Sequence, residues 1–105
     1  MLRAELYFGR RVGSHAIVTE RQWVDFLNRE IVPRFPDGLT VLDGEGRWRP
    51  RAASRSLRER TKVVVIVVHD APDVYARVDA LIAAYVARFR QSSVGRVFSP
   101  VCASF

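Results

Sequence analysis

Few residues in this sequence can do acid–base chemistry, and three stand where a fold could gather them: Glu5, Tyr7 and His69. Glu5 and Tyr7 alternate with Leu6 and Phe8 in the run Ala4–Phe8. A strand there turns the carboxylate and the phenol to one face and the two apolar side chains to the other. A carboxylate on a face closed by a partner is desolvated, which makes Glu5 a candidate general base. The plainer expectation is a salt bridge from Glu5 to Lys62, placed at the start of the neighbouring strand. His69 ends the most apolar stretch of the chain and is expected beside Arg10, Arg11 and His15. An imidazole near arginines can move a proton for an anionic substrate, although a histidine before a helix is more often a solvated loop residue.

Three further side chains are candidates for holding a ligand: Trp48, Lys62 and Arg34. Trp48 lies between Arg47 and Arg49 and either covers the open face of a sheet or forms an aromatic wall. Arg34 and Asp37 frame a proline turn, and an ion pair between them would hold that turn. Trp23 reads as core. Two histidines and the lone Cys102 are too few and too scattered for a metal site, so none is expected. The sequence has no phosphate-cradling glycine loop, no Gly-x-Ser-x-Gly elbow and no redox cysteine pair, and no cofactor is expected.

The elements that must position these residues follow from periodicity. Ala4–Phe8 is a short strand ended by Gly9. Thr19 with Gln22 three residues on is a capping box, and Val18 and Trp23 stand at the positions of a hydrophobic staple. Trp23, Phe26, Leu27 and Ile31 continue as one helical stripe that Pro33 stops. Arg34–Gly38 is a turn. Leu39–Leu42 reads as a strand, Asp43–Gly46 as a tight reversal or bulge, and Arg47–Arg49 as extended chain after it. Pro50 to Arg58 is a polar loop or hairpin tip. Thr61–His69 is the strongest strand, with six consecutive β-branched residues. Asp70 is the expected cap of a second helix with Pro72 in its first turn. Its buried stripe is Val74, Val78, Leu81, Ile82, Tyr85 and Phe89. Val94–Phe98 is the last strand.

Strand, helix, strand, strand, helix, strand is the ferredoxin-like α+β order, a four-stranded antiparallel sheet with both helices on one face. The whole chain, 1–105, reads as a single domain. The first and third strands are expected at its centre, adjacent and parallel. Val63 to Val68 is apolar on both faces, yet helices cover only one. A second copy packed on the other face is the simplest cover, giving a homodimer of the dimeric α+β barrel kind; the chain's own hairpin and tail are the alternative.

Charge says less than its size suggests. The formal net charge is +6, and sixteen of the seventeen basic residues are arginine, Lys62 being the exception. Arg47 to Arg60 holds six arginines against Glu59, which concentrates +5 in one window. The longest apolar run, Val63–Val68, is far too short to span a bilayer, so no membrane partner is expected. Glu5 interrupts the N-terminus almost at once, so the sequence as it stands reads as cytoplasmic, or as exported if a leader has been trimmed.

Several stretches are similar to a known family: Glu5-Leu6-Tyr7-Phe8-Gly9, the run Pro33-Arg34-Phe35-Pro36-Asp37-Gly38-Leu39-Thr40-Val41-Leu42-Asp43, Trp48, Glu59-Arg60-Thr61-Lys62 and Gln91-Ser92-Ser93-Val94. They resemble the bacterial family catalogued as domain of unknown function 3574, over nearly the whole chain. Many members of that family begin with an export leader. The resemblance implies the ferredoxin-like fold and carries no catalytic residue with it.

Two classes of function fit these residues, beside a purely structural or partner-binding role. The first is a protein that binds a small organic or anionic ligand in a sheet-face or dimer cavity, and that can be a cofactor-independent enzyme of the isomerase, cyclase or oxygenase type. The second is a basic nucleic-acid-binding module built on Arg47–Arg60 with Trp48 as a stacking surface. The central strand offers valine and isoleucine where an RNA-reading sheet would present rings, which disfavours the second.

Overall fold

The first strand, β1 (Leu2–Gly9), buries every second side chain. Leu2, Ala4, Leu6 and Phe8 are buried, while Arg3, Glu5 and Tyr7 face the other way. The structure is a computed structural model that describes residues 1–49, 51–52 and 55–105. Pro50, Ala53 and Ser54 of the expected polar loop lie outside the described residues.

After β1 the chain makes a small ribbon from β2 (Arg11–Val12) and β3 (Ala16–Ile17). The first helix follows, α1 (Glu20–Phe26), and its capping box is formed as expected. Thr19 Oγ1 accepts from the Gln22 amide at 3.1 Å, and Gln22 Oε1 accepts from the Thr19 amide at 2.9 Å. A wide π turn over Leu27–Ile31 interrupts the ladder before the short α2 (Val32–Arg34). Pro33 sits in that last piece, where its missing N–H takes one donor out of the ladder, and the helix ends one residue later at Arg34.

The two middle strands differ from the expected layout. β4 (Thr40–Trp48) is one unbroken nine-residue strand, and β5 (Leu57–Val68) runs for twelve. Asp43–Gly46 is therefore no reversal. Gly44 pairs with Thr61 and Gly46 with Glu59, flat against the partner strand. A Cβ on Gly46 would come within 3.2 Å of Thr61 Oγ1, so Gly46 serves close approach rather than turning, while Gly44 has ordinary room for one. The long helix α3 (Pro72–Phe89) is capped by Ala71 instead of Asp70, with Pro72 in its first turn, and buries the six expected residues. β6 (Gly95–Pro100) ends the sheet.

The sheet order is β4-β5-β1-β6, antiparallel throughout. The first and third principal strands, β1 and β5, are adjacent as expected but antiparallel, not parallel. The crossover through α1 lays β4 parallel to β1, and the hairpin then reverses the chain into the gap between them. Among the described residues no sheet closes into a barrel: β4 and β6 are the two edges, on opposite sides, which corrects the barrel expectation. Closure demands more strands, tilted and staggered to meet, than these four supply.

The core lies between the helices and one face of the sheet. Phe8, Trp23, Phe26, Tyr85 and Phe89 form a cluster of tilted and edge-on rings with centroids 4.8–6.3 Å apart. Val64 and Ile66 of β5 complete it from the sheet. Tyr85 donates its hydroxyl to the Gly9 carbonyl at 2.6 Å. Burial pushes that phenol far above its ordinary pKa, so it is a neutral donor at any physiological pH.

Candidate functional site

Antiparallel register turns directly opposed residues to the same face, so the uncovered face can be read row by row. One row is Thr40, Val65, Glu5 and Val97; the next is Leu42, Val63, Tyr7 and Gly95. Val67, Arg3 and Ser99 form a third on the other side. The middle of this face is aliphatic, and its exposed apolar side chains include Tyr7, Leu42 and Val97. The two-sided apolar character of β5 is thus explained: Val64 and Ile66 are core, and Val63, Val65 and Val67 are the half-buried floor of the open face.

At the end of this face where β5 gives way to α3 there is a cavity of about 570 Å³. Val65, Val67 and Val68 are its apolar wall, and Asp37, Thr40 and His69 bring a carboxylate, a hydroxyl and an imidazole to it. A neighbouring hollow of about 230 Å³ shares Asp37, Gly38, Val68 and His69 and is bounded by Phe35, Ala71 and Arg77. The Pro36-Asp37-Gly38 turn is the wall between them. Gly38 takes a φ of 139°, a conformation that side-chain-bearing residues rarely adopt, so the turn can pass here only as glycine. The Arg77 guanidinium lies 4.7 Å over the Phe35 ring and donates to the Arg34 carbonyl at 2.6 Å, which fastens the turn to α3.

His69 therefore belongs to this cavity and not to the Arg10–His15 segment where it was expected. Because β1 and β5 are antiparallel, Gly9 pairs with Thr61 and Leu2 with Val68. His69 consequently lies beyond the start of β1, roughly 27 Å along the strand from Gly9.

Glu5 and Tyr7 are brought together, one strand away from Val65. Tyr7 donates its hydroxyl to Glu5 Oε2 at 2.7 Å, and Arg3 Nε lies 3.1 Å from Glu5 Oε1. The hydrogen bond to the carboxylate holds the Tyr7 phenol above its usual pKa, because losing the proton would set two anions together. The expected Glu5–Lys62 bridge is not formed. Lys62 pairs with Phe8 and so faces the helices, where its side chain is buried. Its Nζ is 2.6 Å from Asp43 Oδ1 and 2.9 Å from Glu20 Oε2. Burial alone would lower the Lys62 pKa, but the bonds to Asp43 and Glu20 outweigh it and hold the ammonium above its ordinary value. The same contact holds Asp43 below the usual carboxylate range.

The other two candidates are also placed apart from the cavity. Arg34 does not pair with Asp37; its Nη1 reaches back one helical turn to Glu30 Oε2 at 2.6 Å and the Glu30 carbonyl at 2.9 Å. Asp37 takes no part in that bond and lines the cavity. Trp48 is 47% exposed at the far end of the open face, where its indole donates to Glu59 Oε2 at 3.2 Å. Among the described residues no group of three or more His, Cys, Asp or Glu side chains is placed to hold a metal ion. No helix among them is long and apolar enough to cross a membrane. Asp37 and Thr40 went unread as site residues, and the signal was the Pro-Asp-Gly turn leading directly into a strand.

Solved structures of phage SAM lyase share this architecture. A phage SAM lyase in complex with S-methyl-5'-thioadenosine matches with a TM-score of 0.74 at 18% identity, over 93% of this chain and 79% of the other. A phage SAM lyase in the apo state matches at 0.70 and 18% identity, over 93% and 78%. At that identity the likeness is one of fold. No curated protein matches the sequence. The family described as Protein of unknown function (DUF3574) matches residues 3–105, nearly end to end and over every segment that carries the resemblance, and the chain belongs to that family.

Proposed function

We propose that the chain binds a small organic ligand on the open face of its sheet, in the cavity walled by Val65, Val67, Asp37, Thr40 and His69. The observation that carries the reading is the cavity itself. Its volume of about 570 Å³ is in the range of small-molecule sites, and aliphatic residues and three polar ones line it together. Asp37 and Thr40 offer acceptors to a ligand's hydroxyl or amine groups, and His69 offers either a donor or an acceptor. Glu5 and Tyr7, hydrogen-bonded to each other beside Val65, are the acid–base pair nearest to a ligand that extends along the face. A second copy of the chain on the exposed Tyr7, Leu42 and Val97 would shield that extension from water.

The first ligand class to try is a nucleoside thioether, since the phage enzyme of the same fold is bound to S-methyl-5'-thioadenosine. Titration of the labelled protein with S-methyl-5'-thioadenosine and with S-adenosylmethionine, followed by amide NMR, tests the reading. Saturable shifts at Thr40, Val65, Val67 and His69, with affinity reduced about tenfold or more in Asp37→Asn/His69→Ala, are the expected result. No saturable shift at these four residues with either compound overturns it.

A further inference from the structure

At the opposite end of β5 the chain builds a second recess, and its chemistry is cationic. β1 ends at Gly9, and the backbone turns aside into the β2–β3 ribbon, leaving a hollow of about 410 Å³ between that ribbon and the start of β5. Four arginines line it (Arg10, Arg11, Arg58 and Arg60) against one carboxylate, Glu59, with Ser14 and His15 on the ribbon side.

The frame of this hollow is fixed. The Arg10 amide donates to the Arg60 carbonyl at 3.0 Å, and the Val18 amide donates to the Arg10 carbonyl at 2.6 Å. The Arg10 side chain is only 8% exposed; its Nε donates to the Val18 carbonyl at 3.0 Å and its guanidinium lies 3.5 Å from Glu20. Arg10 is therefore a strut that holds the ribbon against the sheet. Gln91 ties the next residue down by donating to the Arg11 carbonyl at 2.7 Å. Glu59 is committed as well: Oε1 accepts from the Arg11 amide at 3.0 Å and Oε2 from the Trp48 indole. The two cations best placed to serve a ligand are Arg60, on an exposed stretch of β5, and Arg11, on the ribbon across the hollow; Arg58 stands beside them, 3.5 Å from Glu45.

Arginines that line one recess from two separate elements can offer guanidinium groups to the oxygens of a phosphoryl group, which each can engage with two parallel hydrogen bonds. A solvated arginine surface lacks the recess and the tied backbone frame around it. We infer that this hollow is an anion site for the phosphoryl group of a small molecule, a phosphate monoester or a diphosphate, with Arg11 and Arg60 as its principal ligands and Ser14 and His15 as additional donors. It lies about a full strand length from the His69 cavity, and neither site depends on the other.

The test uses the full chain with inorganic pyrophosphate as the probe, followed by amide and arginine side-chain NMR at about 150 mM salt, where diffuse attraction to a basic protein is largely screened. Expected are saturable shifts at Arg11, Ser14, His15 and Arg60, weakened about tenfold or more in Arg11→Gln/Arg60→Gln. Arg51→Gln/Arg55→Gln removes the same formal charge outside the hollow and is expected to change the affinity less than about twofold. Equal weakening by both pairs, or shifts spread over all the arginines, overturns the site in favour of net charge alone. An Arg11→Gln/Arg60→Gln protein that keeps its circular dichroism spectrum and full pyrophosphate affinity also overturns it. If a single-stranded oligonucleotide binds at the same salt while pyrophosphate does not, the ligand class is wrong and the inference falls.

Discussion

Lys62 is the one lysine of the chain and sits, almost fully buried, where β5 passes under the start of α1. Two substitutions separate what its stem does from what its charge does. Lys62→Met keeps a stem of similar length and removes the ammonium. Asp43 and Glu20 are 78% and 63% exposed and recover their hydration once the ammonium has gone, while the cost of burying the ammonium disappears with it. These effects oppose each other, so the net change in folding stability is expected within about 1 kcal/mol. Lys62→Ala removes three further methylenes from a packed site, about 2.4 kcal/mol at about 0.8 kcal/mol per methylene, and leaves a void, for about 3 kcal/mol in all. In urea unfolding the alanine variant should lose its midpoint by roughly 1.5 M if the slope is about 2 kcal/mol/M, and the methionine variant by under 0.5 M. The pH profile carries the sign of the charge. The lowered Asp43 contributes stability that is present above its unfolded value of 3.8 and lost as pH falls through its folded value. The raised Lys62 contributes stability that is complete below 10.5 and lost as pH rises through its folded value. Both limbs should flatten in Lys62→Met. A methionine variant as unstable as the alanine variant would refute the reasoning, because it would mean that the ion pairs and not the stem hold this corner together.

Two other substitutable features give outcomes of their own. Gly9→Ala places a Cβ 2.5 Å from Glu59 Oε1, so Glu59 must leave and release both the Arg11 amide and the Trp48 indole. A loss of about 1–3 kcal/mol and a displaced Trp48 indole NMR resonance are expected, and an unmoved resonance would contradict the contact. If a second copy covers the open face, light scattering at micromolar concentration and physiological salt gives twice the chain mass of 12.0 kDa, and Leu42→Glu reduces it to one; a mass of 12.0 kDa for the parent protein rules the cover out.

The parts of this fold governed by local chemistry were readable in the sequence. Alternation separated Leu6 and Phe8 from Glu5 and Tyr7, the Thr19–Gln22 spacing announced the capping box, and the α3 stripe named all six residues that it buries. Misreadings arose where one strand's neighbour mattered. Gly44 and Gly46 resemble a turn in the sequence and become strand residues only because Thr61 and Glu59 pair with them. The sense in which β1 and β5 pair decided where His69 would lie, and nothing in either strand's own residues encodes that sense. Asp37 was expected to be spent on Arg34, but Glu30, one helical turn back, takes that guanidinium. The cavity itself draws walls from Asp37–Thr40, Val65–His69 and both chain ends, segments far apart in sequence, and became visible only once the turn had been laid beside the strand end.

The different lengths of the strands have one more consequence. β1 ends opposite Thr61, so Glu45–Trp48 and Leu57–Arg60 continue past it as a two-stranded arm, with no third strand paired to it among the described residues. Such an arm can grow or shrink by two residues on each strand without disturbing the layers behind it, since a two-residue step returns every side chain to its own face. A one-residue step on either strand would turn Glu59 away from Trp48 and Arg11. The arm can thus change its length and keep these contacts only in even steps.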